Sequence, residues 1–219
     1  MRFHFSALLT FLATGLSAQT VVPSGTTTTE TQVNGEVVEV APGTTVNVNG
    51  APAVALSNND SVLNNQGTLT TQGVTSTVDS SANNTTINNQ TGGILQASSR
   101  VVDITAGSGA VLNNAGGATI LGTGNQRNGT VYVDSDTNDV SINNDGTIDA
   151  GVGNEGSGVG FEIAAEGNAF TIDNSGTIQG RGNASAALNT AGDGIRIGNV
   201  GYIGTASTNF TNTGTIASE

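Results

Sequence analysis

Catalysis and metal binding need side chains that can donate, accept or ligate, and this 219-residue sequence holds few of them. Its single histidine is His4, and it has no cysteine. Histidine-based triads, thiolate nucleophiles and Cys/His zinc sites are therefore excluded beyond the first few residues. What remains is carboxylate chemistry. Residues 134–139 read DSDTND, so Asp134, Asp136 and Asn138 take the first, third and fifth positions of a calcium loop, and Asp145 takes the twelfth. Asp139 stands where that motif needs glycine, and Asp145 replaces its bidentate glutamate. The plain alternative is a solvated acidic loop. Residues 192–197, GDGIRI, offer Asp193 as an acid and Arg196 as a substrate clamp. Cleaving a glycosidic bond normally takes two flanking carboxylates, so Asp103, Asp134, Glu162 and Asp193 would have to converge on one groove. The plain alternative there is a loop aspartate and an outward arginine between inward Ile195 and Ile197. The glycines of 151–160, GVGNEGSGVG, neither open a helix nor precede a GK[ST], which excludes a phosphate loop. No catalytic residue, cofactor or metal ligand is assigned.

The elements that would have to position such residues begin after a leader. Residues 1–18, MRFHFSALLTFLATGLSA, carry Arg2, an apolar run from Ala7 to Leu16, and small residues up to Ala18. That is the pattern of a secretory signal peptide, with the mature chain starting near Gln19. The run is too short to span a bilayer, and no later segment is long enough. Past the leader, Arg100, Arg127, Arg181 and Arg196 face all 17 acidic residues: four positive charges against 17 negative, or −13. There is no lysine. Without a basic patch the chain cannot release counterions from nucleic acid, and anionic lipid head groups repel it as well. Large side chains are scarce too. Tyr132, Phe161, Phe170, Tyr202 and Phe210 are the only aromatics after the leader. A disordered polar chain and a repetitive β-structure both fit such a composition.

Periodicity separates the two. Seven-residue phrases recur: LNNQGTL (63–69), INNQTGGI (87–94), LNNAGGATI (112–120), INNDGTI (142–148), IDNSGTI (172–178) and FTNTGTI (210–216), the second and third slightly lengthened. The openers Leu63, Ile87, Leu112, Ile142, Ile172 and Phe210 are 24, 25, 30, 30 and 38 residues apart. Two positions after each opener stands an asparagine: Asn65, Asn89, Asn114, Asn144, Asn174 and Asn212. Recurrence at such intervals marks a solenoid. Between the phrases lie short β-branched runs, at 101–104, 131–133, 159–163 and 195–197, and 54–56 and 74–78 serve the early units. Each period thus reads as a strand, an Asn/Gly turn, a strand, a variable loop and a third strand. Alternation puts Ile142 and Asn144 inward and Asn143 outward. An inward amide is costly unless bonded, and stacked asparagines can bond the turn backbone and one another. Gly67, Gly116, Gly146, Gly176 and Gly214 are expected to supply a positive φ at the turns.

Stacked at about 4.8 Å, such coils bury each other's faces. The expected fold is all-β, a parallel β-helix (β-solenoid) of about six coils over residues 54–219, right-handed by the usual chirality of parallel crossovers. The lengthened turns after Asn89 and Asn114 are expected to bulge. The loops 123–130 and 198–209 are expected to project from one side. Residues 19–53, with Pro23, Pro42 and the tract TTTTET, are expected to form an extended N-terminal cap over the open end. The sequence stops one strand after its last signature, so the repeats are expected to be truncated at the C-terminus.

A secretory leader, a cysteine-free Gly/Asn/Thr-rich body and I-x-N-x-G-T-I repeats over roughly residues 54–219 resemble the passenger regions of Gram-negative autotransporters. The resemblance implies a right-handed β-helix, an outer-membrane β-barrel in the parent protein, and a cell-surface or extracellular location. No barrel-like run of amphipathic strands is present in this sequence. The expected function is a non-catalytic stalk or adhesin-like segment that meets glycans or proteins on host or neighbouring cells. The alternatives are a carbohydrate-active β-helix enzyme, hydrolase or lyase, and a calcium-stiffened secreted array.

Overall fold

The computed structural model describes residues 18–26, 28–31, 35–73, 75–124, 129–134, 137–151, 159–163, 169–181, 195–199 and 207–218. The expected leader up to residue 17 lies outside them, as do Asp136, Asp193 and parts of both projecting loops. The described chain is an all-β parallel solenoid. Successive coils add strands in sequence order to three long parallel sheets, beside a two-stranded parallel pair, Gly107–Ser108 with Thr137–Asn138. The first, of eight strands, runs from Gln19–Val21 through Val140–Asn144 to Ser207–Asn212. The second, of seven, runs from Thr45–Asn49 through Thr147–Asp149 to Thr215–Ser218. The third, also of seven, runs from Glu30–Thr31 through Val102–Ile104 to Ile195–Asn199.

Register follows the repeat. Ile142 pairs with Leu112 below and Ile172 above, and Asn144 with Asn114 and Asn174. Strand Val140–Asn144 alternates buried and half-buried residues, so Ile142 and Asn144 face in and Asn143 faces out. The interior is a stack of aliphatic columns. Leu63, Ile87, Leu112, Ile142 and Ile172 come from the first sheet, and Leu69, Leu95, Ile120, Ile148 and Ile178 from the second. Each such side chain contributes about 1.5–3 kcal/mol on burial. The narrow space between three sheets is filled by residues of this size, which explains how a chain poor in aromatics acquires a core.

Within residues 19–53, the described strands continue the same sheets. Val37–Val40 and Thr45–Asn49 pair in register with Val62–Asn65 and Thr68–Gln72, and Gln19–Val21 pairs on Val37–Val40 in turn. The open end is covered by further rungs of the same sheets. Val40 occupies the position that Asn65 holds in the next coil. The third-sheet strand expected at 74–78 is Val78–Ser80.

The turn glycines differ from expectation in their physical reason. Gly67, Gly146, Gly176 and Gly214 are not among the residues with positive φ. They are glycine because the coils approach too closely for a side chain: a Cβ on Gly176 would lie 2.1 Å from the Gly146 carbonyl oxygen. Positive φ is needed in the widened turns instead, at Gly92 and Gly117. There Gly93 N–H donates to Gln90 O and Ala118 N–H to Ala115 O, closing four-residue turns with glycine third, as a type II turn requires. Pairing of Ile94 with Thr68 and Leu95 with Leu69 shows that Leu95, not Ile94, returns to the core. Both widened turns are therefore of equal length, and Gly116 has open space around its missing Cβ.

Candidate functional site

The inner asparagines form a continuous chain of amides. Asn65 Nδ2 donates to Asn89 Oδ1 at 2.8 Å, Asn89 to Asn114 at 2.9 Å, and Asn114 to Asn144, Asn144 to Asn174 and Asn174 to Asn212 at 2.7 Å each. The same nitrogens also donate to carbonyls of the next coil, as Asn144 does to Thr177 O at 3.1 Å. Every donation runs toward the C-terminus. Asn65 through Asn174 are buried, whereas Asn212 in the last coil is exposed.

A second amide chain runs outside the first sheet. Asn143 donates to Asn113, Asn113 to Asn88 and Asn88 to Asn64, each at 2.8 Å, and Asn64 donates to the Glu39 carboxylate at 2.6 Å. Its donations run toward the N-terminus, opposite to the inner chain. At the corner before the first sheet, Gly35, Asp60, Asn84, Gly109 and Asp139 all have positive φ. Asparagine and aspartate tolerate that region because their short side chains bond locally. Asn84 Nδ2 donates to Asp60 Oδ1, and Ser108 Oγ to Asp139 Oδ2.

Titratable chemistry gathers on the outer face of the third sheet. Asp103 pairs in register with Asp79 on one side and Tyr132 on the other. Parallel strands lie about 4.8 Å apart, so the two aspartates are adjacent. Arg100 Nη1 donates to both Asp103 oxygens, at 3.1 and 3.0 Å. Its guanidinium carbon also lies 3.5 Å from the centre of the Tyr132 ring. Tyr132 is only 4% exposed although its side chain faces outward, and Arg100 makes a cation–π contact on its ring. Burial pushes the Asp79 carboxyl above the usual range, against a hydrogen bond from Thr105. Burial does the same to Asp103, against the charge and hydrogen bonds of Arg100 and with added repulsion from Asp79 and Asp134. A general acid and base need environments that drive their pKa values apart, and here both carboxyls move the same way for the same main reason. Arg100 also occupies Asp103 and the aromatic face that a sugar ring would stack on.

A contrasting pair lies on the second sheet, where Arg181 donates from Nε to Asp149 Oδ1 at 3.0 Å and from Nη2 to Oδ2 at 2.9 Å. Burial raises the Asp149 carboxyl, but the Arg181 hydrogen bonds, the Gly151 amide and the Arg181 charge together outweigh it and leave the pKa below the usual value.

Of the residues proposed for calcium, Asp136 lies outside the described residues, and Asn138 and Asp145 are separated. Asn138 precedes and Asp145 follows strand Val140–Asn144, so a whole strand runs between them. Asp134 accepts from Thr137 through its backbone carbonyl, Asp139 supplies a corner φ of 54°, and Asp145 accepts from Ser175 Oγ. No group of three or more His, Cys, Asp or Glu among the described residues could hold a metal. Of the acids expected to converge for sugar chemistry, Asp134 lies near enough to Asp103 to repel its charge, and Asp103 is also adjacent to Asp79, which is not in that set; Asp193 lies outside the described residues. Arg196 pairs in register with Gly160. No known family model matches the chain, and no curated protein or solved structure matches it.

Proposed function

We propose that this chain is a non-catalytic extracellular stalk, an adhesin-like passenger segment of a Gram-negative surface autotransporter. The carrying observation is the inner amide chain from Asn65 to Asn212, which ties successive coils along one axis. A body bonded in that way between the coils from Asn65 to Asn212 resists bending, the mechanical property a spacer needs. Its strong negative charge and missing lysines fit a surface facing water, with glycans or proteins on host or neighbouring cells as partners and no nucleic acid. The absence of cysteine agrees with export of an unfolded chain.

The test is incubation of the purified chain with pectin and other acidic and neutral polysaccharides, followed by measurement of new reducing ends and unsaturated products. No turnover is expected. The rival reading, a polysaccharide hydrolase or lyase, is favoured by one observation, the adjacency of Asp79 and Asp103. Turnover that disappears in Asp79→Asn and Asp103→Asn would replace the first reading with the second.

A further inference from the structure

The outer amide chain has a carboxylate at each end. Register places Glu39, Asn64, Asn88, Asn113, Asn143 and Asp173 in one column on six successive coils of the first sheet, with five gaps between them. A carboxylate only accepts, whereas an amide in a column donates on its nitrogen side and accepts on its oxygen side. The four amides therefore bridge four gaps, and one gap must lack a donor. The bonds fill the gaps from Glu39 to Asn143. No hydrogen bond joins Asn143 to Asp173, its register partner. Glu39 is half-buried and Asp173 is exposed, so the missing donor falls at the end where water replaces it.

Only the column itself sets this direction. Among the described residues, the four outer asparagines bond nothing outside it. The inner chain differs. Asn144 Nδ2 also donates to Thr177 O at 3.1 Å, and Gly67 N–H donates to Asn65 Oδ1 at 3.2 Å, so the backbone fixes its sense. An outer amide exchanges its nitrogen and oxygen by half a turn about a soft terminal torsion. One amide turned alone in the middle breaks two bonds, leaving oxygen facing oxygen and N–H facing N–H. All four turned together break none of the bonds between them and move the missing donor to the Glu39 end. We propose that the outer amide chain is a two-state relay coupling Glu39 to Asp173 over about 24 Å, five strand spacings. A donor group, such as an ammonium or guanidinium, bound in the gap at Asp173 holds the present sense. The same group bound in the gap at Glu39 favours the reverse, in which Asn143 donates to Asp173. The coupling is reciprocal, because both ends bias one equilibrium.

Two isosteric variants of the full chain test the relay. Glu39→Gln adds a donor at one end, so all five gaps can be bridged, but only if the four amides reverse and Asn143 donates to Asp173. Asp173→Asn adds the donor at the other end, and the present sense then bridges every gap. Nuclear magnetic resonance couplings across hydrogen bonds, from each Nδ2 to the Cγ of its acceptor, read the direction in each variant and in the wild type. The inner chain from Asn65 to Asn174 is the internal reference, since its direction stays fixed. In Glu39→Gln the reversed sense is expected to outweigh the present one at least about tenfold, because a hydrogen bond to a charged carboxylate is gained. Asp173→Asn is expected to keep the wild-type direction throughout. Retention of the wild-type sense in Glu39→Gln overturns the proposal. So does reversal of Asn64 without Asn143, which would mean that the amides turn singly and carry nothing along the column. Reversal in Asp173→Asn would overturn it as well.

Discussion

Replacing Asn144 with leucine tests the inner amide chain at its centre. Asn144 is 1% exposed. It accepts from Asn114 Nδ2 at 2.7 Å and donates to Asn174 Oδ1 at 2.7 Å and to Thr177 O at 3.1 Å. Leucine has a similar size and none of these functions. One amide hydrogen of Asn114 and one oxygen of Asn174 are then buried without partners. Each such orphan costs about 1–3 kcal/mol. Burying leucine in place of an amide returns about 1.5–3 kcal/mol. Asn114 keeps its bond to Thr147 O, which limits the loss. The net expectation is destabilisation on the order of 2 kcal/mol. Asn143→Leu is the control. It removes a 2.8 Å bond to Asn113 on the outer face, where water replaces the lost partner, so the cost is below about 0.5 kcal/mol. Urea titrations followed by far-ultraviolet circular dichroism measure both variants beside the wild type. The slope of each transition must be compared as well, because stacked coils can unfold in parts. Equal losses at Asn143 and Asn144 would refute the reasoning.

Further outcomes are open to direct measurement. Gly176→Ala places a methyl 2.1 Å from Gly146 O and is expected to cost well over ~2 kcal/mol, while Gly116→Ala meets nothing nearer than 4.0 Å and is expected to stay within ~0.5 kcal/mol; thermal melts of the two settle it. Asp79 has a raised folded pKa, so its ionisation opposes folding above that pKa and its protonation favours folding as pH falls. Asp79→Asn should therefore melt higher than wild type at neutral pH, with the gap closing as pH falls through the raised pKa; a gap that widens on acidification would contradict the burial argument. Asp149 behaves with the opposite sign, its lowered pKa contributing stability above the unfolded value that is lost as pH falls through the folded one. Arg181→Met should thus cost about 1 kcal/mol at neutral pH, and that deficit should shrink in acid, as read from melting temperature against pH.

The repeat was legible because identical residues must occupy identical places in a stack. An opener with asparagine two positions later forces both to one side of a strand, and Ile142 and Asn144 are both buried for that reason. The N-terminal coils were harder to read because they keep the alternation and drop the signature. Val38 and Val40 are buried like the rungs above them, but Val40 replaces the asparagine, and Pro42 with Gly43 makes the turn. The outer amide chain was hidden because one outward asparagine looks like any polar residue, and Asp173 interrupts the series. The corner column was hidden for a different reason. Its shared property is a positive φ, which Gly35, Asp60, Asn84, Gly109 and Asp139 reach through different side chains. Each stands three positions before a core residue of the first sheet, as Asp60 before Leu63, and that spacing is a usable signal. Neither did alternation reveal the pairing of Asp79 with Asp103. Their positions are 24 residues apart, and only the register of the stack makes them neighbours.

The two amide chains run in opposite senses, and this has an electrostatic consequence. An α-helix accumulates a macrodipole because its peptide units all point one way. Here, in the coils that carry both Asn64–Asn143 and Asn65–Asn144, each layer contributes one side-chain dipole up the axis and one down it. The opposed pairs largely cancel, so lengthening such a stack adds cohesion without a growing axial field from its asparagines.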